Sequence, residues 1–252
     1  MGEATGRVLL ITGAGRGIGA TVARLAAEKG YTVAINYSRS RDAAEKTAQA
    51  CRAFGVEAEI FQADIGNPAS IAPLFEAVID RFGRLDALVN NAGMTGLASS
   101  LIDSDDQTII DTMNLNATGL MLCTKAAVRH MAHSRGGKGG AIVNLSSGAS
   151  SIGSPGEFTW YAASKGAVDS FTLGIAKEMA ADGVRINAVS PGLADTDIHA
   201  TMGKPDRVKA MTPSIPIQRP ASLEELARPI LYLLSDEASY ITGAILRVAG
   251  GR

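Results

Sequence analysis

Short apolar runs alternate with longer, alanine-rich stretches along almost the whole chain, and this alternation restricts the fold more than any other feature of the sequence. Val8 to Ile11, Thr32 to Tyr37, Glu57 to Phe61, Leu85 to Val89, Ala141 to Leu145, Val184 to Val189 and Ala244 to Val248 read as strands. They are mostly continuous apolar runs, the pattern of a strand covered on both faces. Between them, Val22 to Lys29, Ala43 to Phe54, Ser70 to Phe82 with Ser70 as N-cap, Asp105 to His133, Tyr161 to Ala181 and Glu224 to Leu234 read as helices. Gly30, Gly55, Gly83 and Gly183 each follow a helix and precede a strand, where a left-handed C′ residue belongs. Alternating strands and helices imply parallel βαβ units. The expected fold is therefore α/β: one doubly wound parallel sheet of about seven strands with helices on both faces, spanning residues 1–252 as a single domain.

Composition narrows the function classes. Hydrophobic residues at 46% and charged ones at 19% argue for a packed core. Lys+Arg 24 against Asp+Glu 25 leaves a net charge of -1, so no global field attracts nucleic acid or an anionic membrane. No apolar run approaches the ~20 residues of a membrane span, and the amino-terminal residues lack a signal core. Cys51 and Cys123 are too few for a disulfide framework and lack metal-ligand spacing. These features point to a cytoplasmic protein without a metal. Glycine is in excess, with 28 among 252 residues. No collagen period or low-complexity tract accounts for it, which leaves turns and close backbone approaches.

The densest glycine cluster is Thr12-Gly13-Ala14-Gly15-Arg16-Gly17-Ile18-Gly19, between the first strand and the first helix. There glycine permits a sharp turn and a close approach to a pyrophosphate, whose charge meets free N–H groups and the positive end of the helix dipole. This is the dinucleotide turn of a Rossmann-type sheet. In NAD-specific sites an acidic residue ends the second strand and binds the adenosine ribose. Here that strand ends Asn36-Tyr37-Ser38-Arg39-Ser40-Arg41, with no carboxylate before Asp42. Arg16 and Arg39 supply guanidinium groups suited to a 2′-phosphate, so NADP(H) is favoured over NAD(H).

Further motifs follow in order: Asn90-Asn91-Ala92-Gly93, Asn116 in the long helix, Ser146-Ser147 after the fifth strand, Tyr161-Ala162-Ala163-Ser164-Lys165, and Pro191-Gly192 with Thr196. Together they resemble the short-chain dehydrogenase/reductase family in its single-domain form, from Val8 to Gly251. Tyr161 and Lys165, four apart on a helix, share one face. A phenol has a pKa of about 10, and a nearby ammonium is expected to bring it toward the working range. Tyr161 is the expected general acid/base. The resemblance implies that Lys165 also binds the nicotinamide ribose, that Ser147 polarises the carbonyl and that Asn116 holds a water linking Lys165 to solvent. The usual serine, thirteen residues before the tyrosine, is Gly148 here, so a one-residue insertion is inferred, with Ser146 as the alternative to Ser147. Asn114 competes with Asn116, which the following Ala117-Thr118-Gly119 favours.

The expected cofactor contacts are Gly13, Arg16, Gly17, Ile18, Gly19, Tyr37, Ser38, Arg39, Asp64, Ile65, Asn90, Ala92, Gly93, Tyr161, Lys165, Pro191, Gly192 and Thr196. By resemblance, Asp64 accepts from the adenine amino group, Asn90 lies beside the adenosine ribose and Thr196 reaches the carboxamide. Val248-Ala249-Gly250-Gly251 departs from the family's common Val-Asp-Gly-Gly.

Residues 195–213, polar and containing Gly203 and Pro205, form the expected substrate lid. His199 within it is read as facing solvent, and Glu157, Phe158 and Trp160 as the opposing wall, with a subunit contact as the other place for Trp160. A basic cluster, Lys125, Arg129, His130, His133, Arg135 and Lys138, suits either a helix C-terminus or an acidic acyl carrier protein. Gly136, Gly137, Gly139 and Gly140 read as a flexible connection. The leading function is NADP-dependent interconversion of a secondary alcohol and a small carbonyl, sugar or polyol. The alternatives are a 3-oxoacyl-[acyl-carrier-protein] reductase and a non-enzymatic NADP-binding sensor or structural protein. The resemblance further implies a homotetramer built through the two long helices.

Overall fold

A computed structural model describes residues 6–194, 196 and 201–252. The strands are β1 (Val8–Ile11), β2 (Thr32–Tyr37), β3 (Ala58–Gln62), β4 (Ala87–Asn90), β5 (Gly140–Leu145), β6 (Val184–Pro191) and β7 (Ile245–Val248). All pair in parallel in one seven-stranded sheet of order β3-β2-β1-β4-β5-β6-β7. The main helices are α1 (Gly17–Glu28), α2 (Arg41–Arg52), α3 (Ile71–Phe82), α4 (Asp106–Met113), α5 (Leu120–Met131), α6 (Ala149–Ile152), α7 (Thr159–Met179), α8 (Arg207–Met211) and α9 (Leu223–Leu234).

Successive side chains of a strand point to opposite faces, and here both faces are covered. Leu9 and Ile11 pack with Val22 and Ala23 of α1, Ala44 and Ala48 of α2 and Leu231 of α9. Val8 and Leu10 pack on the other side with Phe75 of α3, Cys123 and Met131 of α5 and Ala176 of α7. That two-sided burial is why the strand runs are continuously apolar. Arg185 of β6 donates to the carbonyls of Leu233, Leu234 and Ser235, closing the end of α9.

Gly30, Gly55, Gly83 and Gly183 all take positive φ, as helix-ending glycines should. Three other readings are corrected. Ser70 does not cap α3 with its side chain; its hydroxyl donates back to the carbonyls of Asp64 and Asn67, and Asn67 instead caps the short turn ahead of the helix. The glycines before β5 are not a loose connection. A Cβ at Gly137 would run into the Met131 carbonyl and one at Gly140 would come within 2.7 Å of the Met131 sulfur, so the chain there is packed onto the end of α5. Thirdly, the long helix before β5 is interrupted by a π-helical segment, Asn114–Gly119, between α4 and α5.

Cys51 and Cys123 are free and buried, and burial pushes their thiols up to about 11 and about 12. No helix among the described residues is long and apolar enough to cross a membrane, and these residues hold no cluster of metal-ligating side chains.

Candidate active site

One cavity of about 720 Å³ runs across the carboxyl ends of the strands, where the strand order reverses between β1 and β4. Its floor begins at the turn after β1. Gly13 and Gly17 have φ of 63° and 57°, and no side chain caps the N-terminus of α1. Gly13, Gly15, Arg16, Gly17 and Ile18 line the cavity, so the uncapped N–H groups and the helix dipole meet whatever enters. A Cβ at Gly13 would come within 3.0 Å of Ala92, and one at Gly19 within 2.5 Å of the Asn91 amide. Gly19 does not line the cavity: it lets α1 pack against the strand ends. The turn is held from two sides. Thr12 Oγ1 accepts from the backbone N–H of Asn91 and Ala92 at 3.0 Å each, and Asn36 accepts from Gly13 N at 3.2 Å while donating to the Ala63 carbonyl at 3.0 Å. These features fit a pyrophosphate.

Beyond the turn, Tyr37, Ser38, Arg39, Asp64 and Ile65 line the cavity where an adenosine belongs. Arg16 and Arg39 are exposed there, and no carboxylate ends β2. Asp64 accepts from the Gly66 N–H at 3.0 Å. Arg41 stands outside the lining and donates to the Tyr37 hydroxyl at 3.5 Å. Asn90, expected beside the ribose, does not line the cavity: its side chain is buried and donates to Thr124 and Asn144. Asn91, Ala92 and Gly93 form that wall instead.

At the opposite end, α7 brings Tyr161 and Lys165 to the wall one turn apart. Tyr161 is half-buried, with the Ser147 hydroxyl on the same wall acting to hold its phenol's pKa down. Ser146 and Ser147 both line the cavity; Ser147 accepts from the Ala149 N–H at 3.1 Å, and the Ser146 hydroxyl is buried with no partner among the described residues. Lys165 is buried, lies 5.8 Å from the centroid of the Tyr161 ring and donates from Nζ to the Leu145 carbonyl at 2.7 Å. Burial pushes its pKa down to about 8, with the negative charge of Asp169 opposing the fall. The expected lowering of the Tyr161 pKa is not found. Burial raises the phenol above its ordinary value, and the opposing pull comes from Ser147 and the charge of Arg207.

Asn116 lies in the π segment and is fully buried behind this wall. It accepts from Met94 N at 2.9 Å and donates to the Met94 carbonyl at 2.8 Å and to Ser164 at 3.0 Å. A Cβ at Gly93 would stand 3.2 Å from the Asn116 Oδ1 and 3.6 Å from the Lys165 Nζ, so the glycine leaves room for both. Asn114 lines the cavity but makes none of these bonds.

Pro191, Gly192 and Thr196 line the nicotinamide end. A Cβ at Gly192 would stand 2.6 Å from the Ala249 Cα, so the altered carboxyl-terminal motif packs directly on this loop. The described part of the lid closes over the site. Thr201, Met202 and Arg207 line the cavity, and Glu157 binds Lys204 at 2.9 Å and Arg207 at 2.6 Å. His199 lies outside the described residues. Trp160 does not line the cavity; it is buried within this chain with Phe158 and Met202 and donates to the Thr95 carbonyl at 2.8 Å. The basic cluster at the end of α5 precedes β5 and so lies toward the amino ends of the strands, opposite the cavity.

Two groups of residues escaped the sequence reading. Asn36 and Asn144 join the strand ends beneath the cavity, and their signal was a buried amide in an otherwise apolar strand. Arg207 carried no local signal, because only the fold brings it to Tyr161.

An open parallel sheet with an uncapped phosphate turn, and a tyrosine, serine and lysine gathered at the far end of the same cleft, defines a nucleotide-dependent oxidoreductase. The chain belongs to the short-chain dehydrogenase/reductase family: a family model described as enoyl-(acyl carrier protein) reductase matches residues 13–252. It is 44% identical over 245 residues to the oxidoreductase YgfF of Escherichia coli (strain K12), covering 97% of this chain and 99% of the relative. It is 37% identical to the 3-oxoacyl-[acyl-carrier-protein] reductase FabG of Staphylococcus aureus (strain Mu50 / ATCC 700699), covering 96% of each. Among solved structures, a short-chain dehydrogenase from Burkholderia cenocepacia J2315 in complex with NADP superposes with a TM-score of 0.90 at 32% identity, covering 98% of each chain. An NAD+-bound xylitol dehydrogenase superposes at 0.89 and 31%, covering 98% of this chain and 99% of the other. The protein is an NAD(P)-dependent enzyme acting on CH–OH groups, which sets aside the reading as a sensor without turnover.

Proposed function

We propose that the protein, as one domain, uses NADP(H) to interconvert a small ketone or aldehyde and the corresponding alcohol. The observation that carries this reading is the gathering of Tyr161, Ser147 and Lys165 on one wall of the cavity that starts at the uncapped α1 N-terminus, with Lys165 Nζ 5.8 Å from the centroid of the Tyr161 ring. When bound, the nicotinamide supplies or accepts the hydride. Ser147 orients and polarises the carbonyl, and Tyr161 gives its proton to the carbonyl oxygen in reduction or takes the hydroxyl proton in oxidation. A phenol raised by burial stays protonated at neutral pH, the form that reduction requires. Lys165 holds the nicotinamide ribose and, while charged, favours the phenolate. Asn116 keeps the π segment against Met94 and Ser164 beside Lys165, the arrangement from which a water is relayed to solvent.

The preference for NADP rests on Arg16 and Arg39 at the adenosine end and on the missing carboxylate after β2. The two buried, unpaired cysteines agree with a reducing, cytoplasmic location. Exposed Ile110 on α4 and Leu173 on α7 support a homotetramer built through the long helices; a monomer by light scattering would remove that part. The resemblance to 3-oxoacyl reductases favours a second reading, reduction of a carrier-bound 3-oxoacyl group.

The test is a panel of carbonyls and alcohols, including a 3-oxoacyl thioester, followed by nicotinamide absorbance with both cofactors. Turnover of free carbonyls with NADPH is the expected result. Preference for NADH overturns the arginine argument, and turnover of the thioester alone selects the second reading.

A further inference from the structure

We propose that the substrate carries an anionic group, a carboxylate or a phosphate, a few atoms from its reacting carbonyl, and that Arg207 binds it. This deepens the carbonyl reductase reading and rests on it for the identity of the reacting group.

Arg207 is a lid residue turned inward, its side chain only 11% exposed. Its guanidinium lies 5.2 Å from the centroid of the Phe158 ring, and that ring meets Tyr161 edge-on at 5.6 Å. The cation therefore stands two ring contacts from the phenol, on the lining of the same cavity. Its charge is incompletely matched. Glu157 takes hydrogen bonds from both Arg207 and Lys204, two cations on one carboxylate, and the Arg207 Nε is buried with no partner among the described residues. A guanidinium on the cavity wall that shares its one carboxylate with a second cation favours an acceptor that arrives with the ligand.

Among the described residues, the rest of that end adds no compensating acid. Arg247 lines it and donates to the Ser151 hydroxyl at 2.9 Å rather than to a carboxylate. The lining carboxylates Asp64 and Asp111 belong to the other end: Asp64 sits beside Gly66, and Asp111 is one helical turn before Leu115, which packs on Gly66. The 2′-phosphate expected near Arg39 also lies at that far end, so it does not account for Arg207. Guanidinium groups bind carboxylates and phosphates through paired N–H donors, which suits a short oxo acid or a phosphorylated carbonyl compound.

Calorimetry on the enzyme saturated with NADP+ tests this without reducing the probe ketones, because NADP+ has no hydride to give; absorbance at the nicotinamide band checks that the hydroxyl-bearing probes are not oxidised. The probes are acetoacetate against methyl acetoacetate, and dihydroxyacetone phosphate against dihydroxyacetone; the pair that discriminates tells carboxylate from phosphate. The anionic member of one pair should bind roughly tenfold tighter or more. Arg207→Gln should erase that difference while leaving the neutral member unchanged, and Arg207→Lys should keep part of it. Glu157→Gln, which removes the competing carboxylate, should tighten the anion further. Equal or tighter binding of both neutral members, no binding of either anion, or an equal loss for both members in Arg207→Gln overturns the proposal. Turnover of neutral carbonyls with no anion preference would leave the reductase reading standing and remove this one. Anion binding by Arg207 without turnover of any carbonyl would do the reverse.

Discussion

Lys165 donates from Nζ to the main-chain carbonyl of Leu145 at 2.7 Å, fastening the second turn of α7 to the end of β5, the neighbour of the central strand. The bond fixes the ammonium beneath Tyr161, and the surrounding burial makes that charge hard to keep. In the enzyme without cofactor, Lys165 should titrate at about 8, well below the ordinary 10.5. Competitive acetylation followed across pH by mass spectrometry reads this directly. Asp169→Asn should lower the midpoint further, since the carboxylate favours the charged form. A Lys165 midpoint among those of the exposed lysines would contradict the burial argument.

The same shift has a signature in stability. Between about 8 and 10.5 the unfolded chain holds a proton that the folded chain has lost, so unfolding free energy rises with pH in that window. Relative to Lys165→Met, which lacks the group, the wild type should gain stability as pH rises through it. Urea titrations of both proteins at several pH values would show the trend, and parallel curves would refute it.

Tyr161→Phe should lower kcat/KM by roughly 10²-fold to 10⁴-fold while NADPH affinity stays close to wild type, because only the proton is removed. Ser147→Ala removes a hydroxyl whose presence lowers the phenol's pKa, so the Tyr161 pKa should rise. Alcohol oxidation, which needs the phenolate, should then move to higher pH. Pre-steady-state and pH-rate measurements separate the two variants, and loss of cofactor binding in Tyr161→Phe would count against the assignment.

Arg39→Asp places a carboxylate after β2, where it accepts from a ribose hydroxyl and repels a 2′-phosphate. The ratio of kcat/KM for NADPH to that for NADH should fall by about 10²-fold, since a charge-assisted phosphate contact is exchanged for a like-charge repulsion. An unchanged ratio would place the phosphate selectivity elsewhere.

Gly119→Ala tests how closely the π segment approaches the sheet. A Cβ there would collide with the Ile65 carbonyl, which is backbone and has little room to move. The expected loss is about 1–3 kcal/mol of stability in chemical denaturation, the usual scale of overpacking. A neutral result would mean that the segment shifts freely.

The sheet was legible because a strand buried on both faces needs apolar side chains in succession, and β1, β2 and β5 supply them. Gly30, Gly55, Gly83 and Gly183 were legible for an equally local reason, the left-handed turn that ends a helix. Tyr161, Lys165 and Ser147 come together through one helix and the end of one strand, so spacing and motif order sufficed to find them. What local pattern does not carry is how far a site is buried, and so the balance at Tyr161 came out opposite to the expectation. Nor does it carry contacts across the fold. Asn90 and Asn91 are adjacent, yet the first is taken into the Thr124 and Asn144 network beneath the sheet and the second reaches the phosphate turn. Glycines 137 and 140 looked like a hinge because the Met131 side of their contact is invisible in sequence.

The π segment sets the phase of the helix that contains it. A π turn accommodates one residue more than an α turn, so everything in α4 is rotated by about 100° from where an uninterrupted helix would put it relative to α5. Asn116 meets Met94 and Ser164 from within this segment. Deleting Ala117 or Thr118 would thus leave Asn116, Ser147, Tyr161 and Lys165 in the sequence but misalign the two halves of the helix, turning the asparagine away from Met94 and Ser164 without altering any of them.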